Sequence, residues 1–145
     1  MSETKKNKNI LDKPIYQEYL NKIEIESEDT NMDQVDAISY IEKEYPETAK
    51  EFQKIQYEQW ATFCKKQMDY GPSNIAMGTS LDTDEEKRLS KIGLIVRIND
   101  KVQRLINLVV KNNREAQNEP TIDAFKDLAC YGIIAQIVEA GKWGK

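Results

Sequence analysis

Asp123 and Asp127 stand one helical turn apart near the end of the chain, and Glu119 stands a further turn back. Like charges at i and i+4 repel by roughly 0.2–0.5 kcal/mol, so this spacing is unfavourable unless a cation sits between them. Asp127 also directly precedes Leu128 and Ala129, in the most apolar stretch of the sequence, where an unpaired carboxylate is expensive to bury. Both facts call for a cationic partner. A second polar stripe runs through Arg97, Asp100, Lys101 and Arg104, whose spacing places them on one helix face. Its plainest account is a solvated face with intrahelical ion pairs. Its chemical account is that carboxylates from two antiparallel helices converge on a hard divalent ion. Mg²⁺, with Mn²⁺ as the alternative, takes oxygen ligands and keeps waters for substrate phosphates. Asp100, Asp123 and Asp127, with Glu119 as a fourth, are then the candidate metal ligands, and Asp100 and Asp127 the candidate catalytic carboxylates. Arg97, Lys101 and Arg104 are the candidate phosphate contacts. These are the parts of a nucleotide site without a P-loop, since no Walker-type glycine motif occurs.

The chain contains no histidine, which removes histidine-based acid–base catalysis, Ser-His and Cys-His nucleophiles, and most zinc sites. Lys and Arg total 21 against 25 Asp and Glu, a net charge of -4 that disfavours a nucleic-acid polymer or an anionic membrane as partner. Cys64 and Cys130 lie in helix-like apolar patterns and read as buried free thiols of a reducing compartment. No apolar run approaches the roughly 20 residues needed to span a bilayer, and the Lys-rich start is unlike a signal peptide. The expected location is therefore cytoplasmic. With 145 residues, 39% hydrophobic and 32% charged, the composition is that of one globular core.

The elements that must position these residues are all helices. Residues 1–30 read as an extension, partly flexible, and residues 31–145 as one domain. Asp33 caps a helix through Val35, Ile38 and Ile41. Pro46 opens a second, running through Phe52, Ile55, Trp60, Phe63, Cys64 and Met68 to a turn over residues 69–74. After a loop over Ala76–Thr83, the acids Asp84, Glu85 and Glu86 start a third helix reaching about Asn112. Its expected core stripe is Ile95, Ile98, Val102, Leu105 and Val109, and Gly93 is a potential bend. Pro120 and Thr121 open a last helix that buries Ile122, Phe125, Ala129, Ile133 and Ile137 and ends at Gly141. Four to five helices with short links imply an all-α, up-and-down bundle.

Three segments resemble a known family: Asp69-Tyr70-Gly71-Pro72-Ser73-Asn74-Ile75, the run from Gly93 to Leu105, and Asp123-Ala124-Phe125-Lys126-Asp127-Leu128-Ala129-Cys130-Tyr131. Together they are similar to the nucleotide modification associated domain of phage and bacteria, a relative of the MazG-like all-α NTP pyrophosphatases. The resemblance spans roughly residues 57–144. It implies a homo-oligomer, dimer or tetramer, with a Mg²⁺ site of helix carboxylates. It also implies hydrolysis of a (deoxy)nucleoside triphosphate to the monophosphate and pyrophosphate, in a bacterial cytoplasm or that of a phage host. On the same ground Asp69, Tyr70 and Asn74 form the loop nearest the base or sugar. The sequence departs from the better-known pyrophosphatases in lacking their Glu-x-x-Glu pair, offering Arg97-x-x-Asp100 and an Asp123/Asp127 step instead. Two other expectations stand beside hydrolysis. One is a non-catalytic protein that binds or sequesters a nucleotide in nucleotide metabolism or defence. The other is a helical adaptor without a small ligand.

Overall fold

Proline, glycine and one capping box set the element boundaries. The structure, a computed structural model, describes Glu18 and residues 32–145; the extension expected over residues 1–30 otherwise lies outside the described residues. The elements are α1 (Met32–Glu44), α2 (Pro46–Tyr70), the single turn α3 (Ser73–Ala76), α4 (Asp84–Leu105) and α5 (Thr121–Glu139). α4 runs on as a π-helical segment, Ile106–Lys111. No strand occurs among the described residues, so the fold is all-α, as expected. No helix among them is long and apolar enough to cross a membrane.

α1 gives way to α2 at Pro46, because the residue before a proline avoids the α region while proline itself suits a first helical turn. Gly71, at φ +62°, ends α2 in the left-handed conformation and returns its N–H to the carbonyl of Gln67. α4 begins with a reciprocal cap in which the Thr83 hydroxyl accepts from the Glu86 N–H and the Glu86 carboxylate accepts from the Thr83 N–H, each at 3.2 Å. Pro120 precedes α5, and Gly141 at φ +67° follows it. Gly93 lies within α4 without interrupting it; a Cβ there would stand 3.3 Å from the Met77 sulfur, so its bareness lets that loop approach.

The chain divides into two compact units, Met1–Trp60 and Ala61–Lys145, with the division inside α2. In the first, Gln53 donates to Glu42 at 3.3 Å and Lys54 pairs with Glu51 at 3.0 Å. Of its expected apolar stripes, Ile38, Ile41, Phe52 and Ile55 are exposed, and the side chain of Val35 lies outside the described residues.

The second unit holds the core. Ile75, Ala76, Leu81, Leu94, Ile134, Val138 and Trp143 are buried together, with Phe63, Cys130, Tyr131, Ala135 and Ile137 packed partly against them. Full burial of a side chain such as Leu94 or Val138 stabilises by about 1.5–3 kcal/mol. α4 and α5 run antiparallel, since Lys91 meets Glu139, Lys101 meets Asp127, and Arg104 meets the Glu119 carbonyl. This pairing corrects the expected burial. α4 buries Ser90 and Leu94, while Ile95, Val102 and Val109 are exposed and Ile98 and Leu105 half-buried. α5 buries Ala124, Ile134 and Val138, whereas Ile122, Phe125, Ala129 and Ile133 are exposed. The cause is that the face of α4 carrying Arg97 and Lys101 turns inward, which rotates its apolar stripe out.

Candidate functional site

The turn after α2 is held in place by three side chains from distant elements. The Trp143 indole N–H donates to the Pro72 carbonyl at 3.0 Å, an Arg97 guanidinium N–H donates to the Asn74 carbonyl at 3.1 Å, and the buried Ser90 hydroxyl donates to the Ile75 carbonyl at 2.7 Å. Phe63 meets the Trp143 ring edge-on, with centroids 6.0 Å apart. Gly144 permits the close approach of the C-terminal turn: it sits at φ +72°, and a Cβ there would lie 3.0 Å from that of Pro72. A loop that terminates a helix is thereby made part of a rigid wall.

Behind this wall lies a cleft of about 350 Å³. Cations line it from two helices, Lys66 from α2 and Arg97 from α4. Aromatic rings line it from four places: Phe63, Tyr70, Tyr131 and Trp143. Asn74 and Asp127 complete the polar lining. Arg97 uses one of its five N–H donors on Asn74, which leaves most of its guanidinium for another acceptor.

Asp127 is the electrostatic centre of this region. Its carboxylate takes the Lys101 ammonium at 2.7 Å and the Lys66 ammonium at 3.5 Å, with the Lys101 and Asp127 side chains only 25% and 23% exposed. The hydrogen bond to Asp127 raises the Lys101 pKa, more than burial lowers it. The cost of placing a carboxylate beside Leu128 and Ala129 is therefore met by two lysines. Cys130, half-buried one residue on from Ala129, has its thiol pKa raised, first by burial and then by the Asp127 charge, against the opposing pull of Lys66. Cys64 and Cys130 are both free, as expected, and both are half-buried.

Of the residues singled out from sequence, the cleft gathers Arg97, Tyr70, Asn74 and Asp127, with Lys101 behind Asp127. The others lie elsewhere. Asp69 is exposed and outside the lining. Asp100 is exposed, at the rim of the face that carries Arg97 and Lys101, and its side chain makes no hydrogen bond or ion pair among the described residues. Asp123 pairs with its own-helix neighbour Lys126 at 3.4 Å. Glu119 is exposed, and its backbone carbonyl accepts from Arg104. Arg104 also lines a separate cavity of about 210 Å³ with Arg114 and Asn107, and its other terminal nitrogen is buried without a hydrogen-bond partner among the described residues. Among the described residues no three acids or cysteines are grouped so as to hold a metal ion. Of the four candidate metal ligands, Asp127 and Asp123 are paired with lysines, and Asp100 and Glu119 are exposed.

Lys66, Phe63, Tyr131 and Trp143 line the cleft without having been marked as functional. Trp143 is at the same time a core residue. Lys66 carried no local signal, because its partner lies 61 positions away on another helix.

No family model, curated protein or solved structure matches this chain.

Proposed function

We propose that the Ala61–Lys145 unit binds a nucleotide in this cleft, with the phosphates on Lys66 and Arg97 and the base among the aromatic rings. One observation supports the reading above the rest: two cations and four aromatic rings share a single cleft whose sole carboxylate, among the described lining residues, is already neutralised by Lys101 from outside the lining. A phosphate group prefers guanidinium and ammonium donors, and a planar base prefers ring faces and edges. At about 350 Å³ the cleft is at the small end of ligand sites, which run from about 300 to 1,000 Å³, and it suits one nucleoside with a short phosphate tail.

Binding is favoured over hydrolysis. Pyrophosphohydrolysis by the expected route needs carboxylates free to hold a metal, and Asp127 is engaged by Lys66 and Lys101. Melting the protein against a panel of nucleosides, monophosphates and triphosphates, with and without Mg²⁺, tests this directly. A saturating ligand at 100 times its Kd adds about 2.7 kcal/mol of stability. Phosphorylated nucleosides are expected to raise the melting temperature and unphosphorylated ones to do so much less. No shift with any nucleotide would overturn the reading, and pyrophosphate release in the same wells would restore hydrolysis in its place.

A further inference from the structure

The end of α4 builds a second polar cavity, separate from the cleft. Its π-helical continuation bonds from residue i to i+5, so the Asn112 N–H donates to the Asn107 carbonyl at 3.2 Å. The Asn112 side-chain amide donates to the same carbonyl at 2.7 Å and to the Asn107 side-chain oxygen at 2.9 Å. Asn113 then takes a left-handed φ of +41°, which asparagine tolerates better than most residues, and the Arg114 N–H reaches back to the Leu108 carbonyl at 3.0 Å. This reversal brings Arg114 into the lining of the cavity of about 210 Å³ that Arg104 also lines, with Leu108 and Ala116 as apolar surface and Gln117 and Asn118 as amides. Arg104 donates from one terminal nitrogen to the Glu119 carbonyl, which fixes its guanidinium, while the other is buried with no hydrogen-bond partner among the described residues. A buried charged donor left unsatisfied is costly, and an acceptor placed against that guanidinium removes the cost. Glu115 also lines the cavity, but among the described residues it forms no ion pair with either arginine. The lining therefore carries two guanidinium charges against one carboxylate, an excess of one positive charge.

We propose that this cavity binds the carboxylate of a small organic acid between Arg104 and Arg114. Three features select that class. A guanidinium is a planar fork whose paired N–H groups match the two oxygens of a carboxylate. The single excess positive charge balances a monoanion, whereas a phosphate dianion would leave negative charge uncompensated beside Glu115. The buried Leu108 and its neighbour in the lining, Ala116, offer a carbon chain an apolar wall that an inorganic anion cannot use. At about 210 Å³ the cavity falls below the range of about 300–1,000 Å³ typical of larger ligands, so the acid has few carbons. This site stands apart from the nucleotide reading, since it shares no lining residue with the cleft.

The test is a magnetic-resonance titration of the isotopically labelled full chain with acetate, butyrate and inorganic phosphate, at an ionic strength held constant with chloride. Arginine side-chain and backbone amide signals are followed together. Butyrate is expected to shift the Arg104 side chain and the amides of residues 107–118 saturably, and to bind about tenfold more tightly than acetate for its two further methylenes. Arg114→Gln, at an exposed position, is expected to weaken butyrate at least tenfold with helix content unchanged. Arg104→Lys keeps the charge but loses the fork, and is expected to weaken it to a similar degree. Glu115→Gln removes the opposing charge and is expected to tighten it. The site would be overturned by the absence of saturable shifts with butyrate, by shifts lying outside residues 104–118, or by binding that survives Arg114→Gln unchanged. Phosphate binding more tightly than butyrate would overturn the carboxylate class, as would weaker butyrate binding in Glu115→Gln.

Discussion

Replacing Lys101 by Met removes the nearer partner of Asp127 while keeping the aliphatic stem, and the structure sets the size of the effect. Exposed ion pairs are worth about 0.2–1 kcal/mol, whereas stripping one partner from a fully buried pair costs about 3–5 kcal/mol. With both side chains about three-quarters covered and Lys66 still 3.5 Å away, the Lys101→Met cost falls between these, at about 1–2 kcal/mol. For a chain of this length that is a fall in melting temperature of roughly 3–6 °C. Asp127→Leu in the same background is expected to recover most of the loss, because the charge left without its partner is then gone, and a double-mutant cycle should return a coupling of about 1–2 kcal/mol. The pH dependence has a definite sign. Lys101 has a raised pKa when folded, so the pair contributes fully below the ordinary lysine value of 10.5 and is lost only as the pH climbs beyond it. Melting curves of the four proteins across that range make the assay. A coupling near zero, or a wild type stabilised by Mg²⁺ through Asp127, would refute the claim that lysines are what this carboxylate is paired with.

Three other outcomes follow from the same geometry. Arg97→Ala removes a charged donor from the cleft and the tie to the Asn74 carbonyl, so nucleotide affinity should fall about 10- to 100-fold in calorimetry while the melting temperature changes little. Gly144→Ala places a Cβ 3.0 Å from Pro72 at a left-handed φ, at a cost of about 1–2 kcal/mol, and should release Trp143 from Pro72, read as a red shift of its fluorescence. In a Cys64→Ser background, Cys130 should react with a thiol reagent more slowly than a free cysteine at neutral pH and accelerate only above the ordinary thiol value of 9.0, since burial holds its pKa up; bound nucleotide should slow it further.

The helix boundaries were legible because each is written in a few adjacent residues: Pro46, the Thr83/Glu86 box, Pro120 and Gly141 act on their own neighbours. The burial pattern of α4 was not. Both of its faces hold apolar residues, and periodicity alone cannot say which one meets α5 when the inward face also carries Arg97 and Lys101. For Asp127 the need for a partner was readable from its apolar neighbours, while the partner's identity was not, because a metal and a lysine answer the same electrostatic demand. Lys66, Tyr131 and Trp143 reach the cleft only through tertiary packing.

The proposed nucleotide sits in the cleft between Lys66, Arg97 and the aromatic wall. Titrating isotopically labelled protein with a nucleoside monophosphate and following its amide and indole resonances tests that placement most directly. The expected result is a saturable set of shifts confined to residues 63–75, Arg97, Tyr131 and the Trp143 indole. Shifts gathered instead around Arg104 and Arg114, or none at saturating ligand, would contradict it.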